Sequence, residues 1–138
     1  MTAFLLDTNI VSAILRKDTA LEKRLQETVP AKDQVWLSAV VYYESKRGLL
    51  KRDAKKQMQA FETLVTRFEW CEVIQEDWDQ AAQLWVERSN VGRPIEDAEL
   101  LIATQAKRLN VILVTDNEKD FDGLGITIEN WRGSKTVR

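Results

Sequence analysis

The sequence contains no histidine among its 138 residues. That absence excludes Ser-His and Cys-His nucleophilic catalysis, and with them any imidazole-ligated zinc or iron centre. One cysteine, Cys71, can form neither an internal disulfide nor a thiolate zinc site, which fits a reducing cytoplasm. Two prolines and five glycines are too few for a linker, and there is no internal repeat or low-complexity tract. No apolar stretch approaches membrane-spanning length, and the first, Ala3 to Leu6, is far too short for a secretory signal. The net charge of −2 sets up no global basic field, so any RNA-binding surface must be a local patch. Gly123-Leu-Gly125 lacks the third glycine and the preceding strand of a dinucleotide fingerprint, and there is no P-loop.

What is present is acid. With 22 Asp and Glu residues and no imidazole, polar chemistry must lean on carboxylates. Carboxylates select hard, oxygen-loving cations such as Mg²⁺ or Mn²⁺. Hydrophobic residues make up 44% and charged residues 30%, the balance of a globular chain, and the length suits one domain over residues 1–138 with a core of its own.

Short apolar runs alternate with amphipathic stretches. Ala3–Leu6, Val35–Leu37, Glu72–Ile74 and Val111–Val114 read as strands, and Ile126–Ile128 as a last edge strand. Thr19 and Glu22 have the spacing of a capping box. Ser38 precedes a helix to about Leu50, and Asp53 to Thr66 and Asp77 to Val91 follow as helices. Pro94 stands where a helix commonly begins, and that helix runs to about Leu109. Strands separated by helices imply parallel βαβ units and a three-layer α/β/α sandwich. In such folds sites form beyond the carboxyl ends of the strands.

Asp7 ends the first apolar run and Asp116 follows the fourth. Singly, each reads as a turn former. Together they place two carboxylates at one edge of the sheet. Glu44 shares a helix face with Val40, Val41 and Gly48, and a glutamate there is costly to bury unless paired or metal-bound. Lys46 and Arg47 are near in sequence but are expected to point elsewhere on the helix. Glu96 and Asp97 suit a first helical turn. Glu99 and Asp97 border opposite edges of the following apolar face, and helical geometry alone leaves both open. Four acids in one pocket repel unless a cation neutralises them, which is the physical reason to expect a metal.

Leu5-Leu-Asp-Thr-Asn-Ile10, Ser38 through Glu44 to Gly48, Gly92 to Ala103, and Val114-Thr-Asp-Asn117 with Phe121 and Ile128-Glu-Asn-Trp131 resemble, in order and spacing, the PIN-domain nucleases. Within that family they resemble the VapC-type toxins of bacterial toxin–antitoxin modules. The resemblance spans essentially the whole chain. It implies a short, mainly parallel sheet between helices, and endonucleolytic cleavage of RNA with Mg²⁺ or Mn²⁺ at Asp7, Glu44, Glu99 and Asp116. It also implies a small VapB-like antitoxin and a homodimer. The family's third acid usually stands three residues before an Ile-Ala pair. Ile102-Ala103 gives that place to Glu99, one methylene longer than the usual Asp, with Asp97 in reserve.

Lys46, Arg47, Lys51, Arg52, Lys55 and Lys56, with Arg16 and Lys17, form a basic cluster that would suit phosphates, and equally a solvated face or antitoxin contacts. Trp78 and Trp85, seven residues apart, suit the core or an interface stripe rather than base stacking. Two other functions compete. A phosphatase of the haloacid-dehalogenase pattern needs a second Asp two residues after the first, where Asn9 stands. An inactive PIN-like RNA-binding scaffold would account for the Asp-to-Glu change.

Overall fold

The structure, a computed structural model, describes residues 2–28 and 33–132. Residues 1, 29–32 and 133–138, included in the single-domain expectation, lie outside the described residues. The strands are β1 (Ala3–Leu6), β2 (Gln34–Ser38), β3 (Glu69–Cys71), β4 (Ile112–Val114) and β5 (Thr127–Glu129). All pair in parallel, in the order β3-β2-β1-β4-β5, and helices flank the sheet. The α/β/α sandwich with a short parallel sheet is therefore present.

Central β1 explains the order. Phe4, Leu5 and Leu6 are consecutive and all buried, so both faces of this strand are covered. Leu113 and Val114 of β4 are equally buried beside it. From β1 the chain steps to β2 and β3 on one side, then returns to β4 on the other. The crevice between β1 and β4 is thus the switch point of the sheet, where open α/β folds bind ligands.

The helices are α1 (Thr8–Leu15), α2 (Thr19–Thr28), α3 (Ala39–Lys51), α4 (Lys55–Val65), α5 (Gln75–Asn90), α6 (Asp97–Leu109) and α7 (Glu118–Phe121). Ser38 caps α3 by accepting the Val40 N–H at 3.0 Å. α6 ends at Asn110 in the left-handed region (φ 55°), which turns the chain into β4.

Several boundaries differ from the sequence-based expectation, each for a local reason. The third strand is Glu69–Cys71, not Glu72–Ile74. Beyond Cys71 the backbone is claimed by side chains: Gln105 Nε2 donates to the Cys71 and Glu72 carbonyls at 3.2 and 3.1 Å. The Ile74 N–H goes to Asp77 at 3.0 Å. The first turn of α2 is served by Asp18, which accepts the Leu21 N–H at 3.2 Å, not by a Thr19–Glu22 box. α6 starts at Asp97, three residues after Pro94, because Ile95 is drawn into the core and the chain stays extended through Glu96. α1 was not expected, although Asp7 is a regular N-cap residue: it accepts the Thr8 N–H at 2.8 Å.

A buried polar clasp joins α5 and α6 to the end of β3. Asp77 is 1% exposed and takes a two-pronged pair from Arg108, Nε and Nη2 each donating at 2.9 Å. Arg108 Nη2 also donates to the Glu72 carbonyl at 3.0 Å. Asp77→Ala would strand both the guanidinium and the Ile74 amide. Urea unfolding of this variant is expected to show a loss of about 3 kcal/mol, with a smaller loss for Asp77→Asn, which keeps an acceptor.

Candidate active site

The β1–β4 register pairs Leu6 with Val114, so the next residues, Asp7 and Thr115, stand side by side. The Asp7 N–H donates to the Val114 carbonyl at 2.9 Å. The Asp7 carboxylate is 4% exposed and has two fixed donors: the Thr8 amide to Oδ1 at 2.8 Å, and the Thr115 hydroxyl to Oδ2 at 2.7 Å. Burial nevertheless pushes its pKa up. Those two hydrogen bonds pull it down, and the nearby charges of Glu44 and Asp116 raise it again.

Glu44 reaches the same place from α3. Its Oε1 accepts from the Thr8 hydroxyl at 2.7 Å. Arg47, one turn along, brings Nη2 to 3.7 Å from Oε2. The expectation that Arg47 points away from Glu44 is therefore corrected, since i and i+3 share a helix face. Glu99 comes from the first turn of α6. Its pKa is pushed up to about 7, first by burial, then by a hydrogen bond and charge from Asp120 and by the charge of Asp7; Asn117 pulls it down. Asn117 Nδ2 donates to Glu99 Oε2 at 2.7 Å and to Asp120 Oδ2 at 2.6 Å, so one amide holds two acids together. Asp116 lies within electrostatic reach of Asp7, and its Oδ2 accepts from Arg132 Nη1 at 2.8 Å.

Asp7, Glu44, Glu99 and Asp116 thus gather at one end of the sheet, with Asp7 as their common neighbour. Asp97 is not among the charges acting on Asp7 or Glu99. It lines a cleft with Trp78 and Leu101 that Glu44 and Arg47 also line. Asp120 does join the cluster and is absent from the sequence reading. The available signal was its place in Asn117-Glu-Lys-Asp120-Phe121, one helical turn after Asn117 and directly before an apolar anchor. Trp78, Trp85 and Val86 are about half exposed, so this stripe is a surface and not core.

The donor set is all oxygen, and among the described residues Asp7, Glu99 and Asp120 have no ion-pair partner. As they stand, no three acidic side chains among the described residues form a ready cluster around one ion. Mg²⁺ needs only one or two direct carboxylates and keeps several waters. Acids held together against their own repulsion, two of them with raised pKa values, fit such a cation.

A family model described as "PIN domain" matches residues 4–126. Among curated proteins, the chain is 28% identical over 130 residues to ribonuclease VapC2 of Rickettsia felis, covering 93% of this chain and 97% of that one. It is 29% identical over 140 residues to the tRNA(fMet)-specific endonuclease VapC of Shigella flexneri, covering 95% and 99%. Among solved structures, VapBC2 from Rickettsia felis bound to a promoter DNA fragment superposes with a TM-score of 0.85 at 23% identity, covering 94% of this chain and 99% of that one. DNA-bound VapBC from Salmonella typhimurium gives 0.82 at 24% identity, covering 95% and 99%. These two likenesses show the fold.

Glu99 carries a pH signature. Its pKa rises from 4.5 in the unfolded chain to about 7 in the fold, so the folded state holds this proton longer. The stability it contributes is complete below pH 4.5 and is lost as pH climbs through about 7. In metal-free buffer, wild type is expected to lose thermal stability relative to Glu99→Gln across that window. A pH-independent difference between the two melting curves would contradict this.

Proposed function

The chain belongs to the PIN domain family, and on that premise we propose that it is a Mg²⁺-dependent endoribonuclease acting as the toxin of a toxin–antitoxin pair in the cytoplasm. The observation that carries the reading is the convergence of carboxylates from four separate segments at the switch point of a parallel sheet. The naming of its relatives as ribonucleases and a tRNA endonuclease supports the substrate class.

Asp7, Glu44, Glu99 and Asp116 would hold the cation, with Mn²⁺ as a possible substitute and Asp120 beside them. When bound, the ion would neutralise the acids and polarise a phosphodiester oxygen. The protein's own groups set the rest. Thr8 and Thr115 orient the two Asp7 oxygens. Asn117 fixes Glu99 Oε2. With the cation bound, Glu99 would be held as a carboxylate, placed to orient an attacking water.

A small VapB-like antitoxin is the proposed regulator, since several structural relatives are VapBC complexes. A second copy of the chain is the proposed partner for the exposed apolar surface of Trp78, Trp85 and Val86, which adjoins a cleft containing Tyr43, Arg47 and Asp97. Both charge signs occur along this face, and a two-fold axis can pair them.

Purified protein is expected to cut RNA with Mg²⁺ and to stop on addition of EDTA. Asp7→Asn keeps an N-cap acceptor but removes the charge, and is expected to lower the rate more than about 100-fold. In cells, wild type should arrest growth where Asp7→Asn does not. Cleavage surviving in Asp7→Asn would place the activity elsewhere. Phosphate release from a small monoester with RNA intact would favour a phosphatase, and RNA binding without cleavage a scaffold. Sedimentation velocity is expected to show a dimer that Trp85→Glu dissociates; a monomeric wild type at the same concentration would remove the second copy from this face.

A further inference from the structure

Arg132 is the point where a fixed cation meets the carboxylates. Its Nη1 donates to Asp116 Oδ2 at 2.8 Å, and its Nε lies 3.5 Å from Asp18 Oδ2. The side chain is delivered from a buried anchor. Trp131 is 3% exposed, meets the Phe4 ring edge-on at 5.3 Å, and donates through its indole to Glu129 at 3.0 Å. Arg24 lies over the Trp131 ring at 4.9 Å. The Arg132 N–H is itself held by Asn130 Oδ1 at 3.0 Å. Yet 38% of the Arg132 side chain faces solvent. Among the described residues, the other arginine in contact with the site's acids is Arg47, which stacks on Tyr43 at 5.0 Å.

A guanidinium never loses its charge in this pH range, and its fork fits carboxylate and phosphate alike. A divalent cation drawing on Asp116 competes directly with the fork. Once displaced, the exposed part of the guanidinium has its other preferred ligand, a phosphate, within the same chemistry. We propose that Arg132 is a positioning residue that exchanges partners. It neutralises Asp116 until a divalent cation takes up the carboxylates, and then holds an RNA phosphate beside them. The RNA half of this exchange rests on the ribonuclease reading above; the competition with metal does not.

Two measurements on the full chain test it. Mn²⁺ binding without RNA, followed by electron paramagnetic resonance, is expected to tighten about fivefold or more in Arg132→Gln, because the competitor is gone. The KM for single-stranded RNA is expected to rise more than kcat falls. The slope of log KM against log salt should become shallower by about 0.7, the value of one lost phosphate contact on a single strand. Unchanged Mn²⁺ affinity, or an unchanged KM and slope, overturns the exchange. If Arg132→Gln fails to fold, Arg132→Lys is read by the same measurements. It keeps the charge and loses the fork, so Mn²⁺ binding should tighten less and the salt slope should hold, while KM still rises; wild-type values for both Mn²⁺ affinity and KM overturn the exchange. A wild-type chain that leaves RNA intact strikes the ribonuclease reading, and its Mn²⁺ data still report on Arg132 and Asp116. Active wild type with indistinguishable variants strikes only the exchange.

Discussion

The Asp7 carboxylate, buried between the Thr8 amide and the Thr115 hydroxyl, is the constraint around which the rest is arranged. It ends β1, caps α1 and reaches across to β4 with one functional group. A buried charge of this kind is tolerated only when its oxygens are satisfied. Those oxygens are satisfied only if β1 and β4 pair in the observed register, since a shift by one residue would turn Thr115 to the opposite face. The same contact that stabilises the sheet junction therefore fixes the position of the central acid. Glu44 is tied to that junction through Thr8, and Glu99 and Asp120 through Asn117, whose amide N–H donates to the Thr115 hydroxyl at 3.0 Å.

The electrostatic consequence is a site under tension. Burial and mutual repulsion hold Asp7 and Glu99 above their ordinary pKa values, while Arg47 and Arg132 relieve only the outer acids, Glu44 and Asp116. The interior of the cluster has hydrogen-bond donors and no cation among the described residues. Neutral donors orient the acids without discharging them, which leaves the cluster's charge available for a divalent ion.

Much of this was legible in the sequence because apolar runs and strand-end acids carry their own geometry. Ala3–Leu6 suits a covered strand, and an Asp directly after such a strand emerges at the sheet edge. Ser38 announced α3, and the apolar neighbours of Glu44 announced a half-buried carboxylate. The choice between Asp97 and Glu99 was different: it depends on where α6 begins, and Pro94 suggested a start three residues too early. The Asn117 amide that holds Glu99 beside Asp120 is a tertiary contact that no helical pattern reveals. Asp120 and Arg132 were illegible for a related reason. Neither lies on a long periodic element, so their direction is set by tertiary anchors, Phe121 and Trp131, whose burial no local pattern reveals. The end of β3 was misplaced because Gln105 and Arg108, more than thirty residues away, replace the ladder there.

The pairing of β1 with β4 has one further consequence, for the protein as it is being made. Asp7 meets Thr115 across a sequence separation of 108. Until β4 is made, β1 has no neighbour strand on that side, and Asp7 lacks the Thr115 hydroxyl. Long-range parallel pairing is also the slow part of folding. The central acid of the cluster is thus completed only late in synthesis, when β4 has been made.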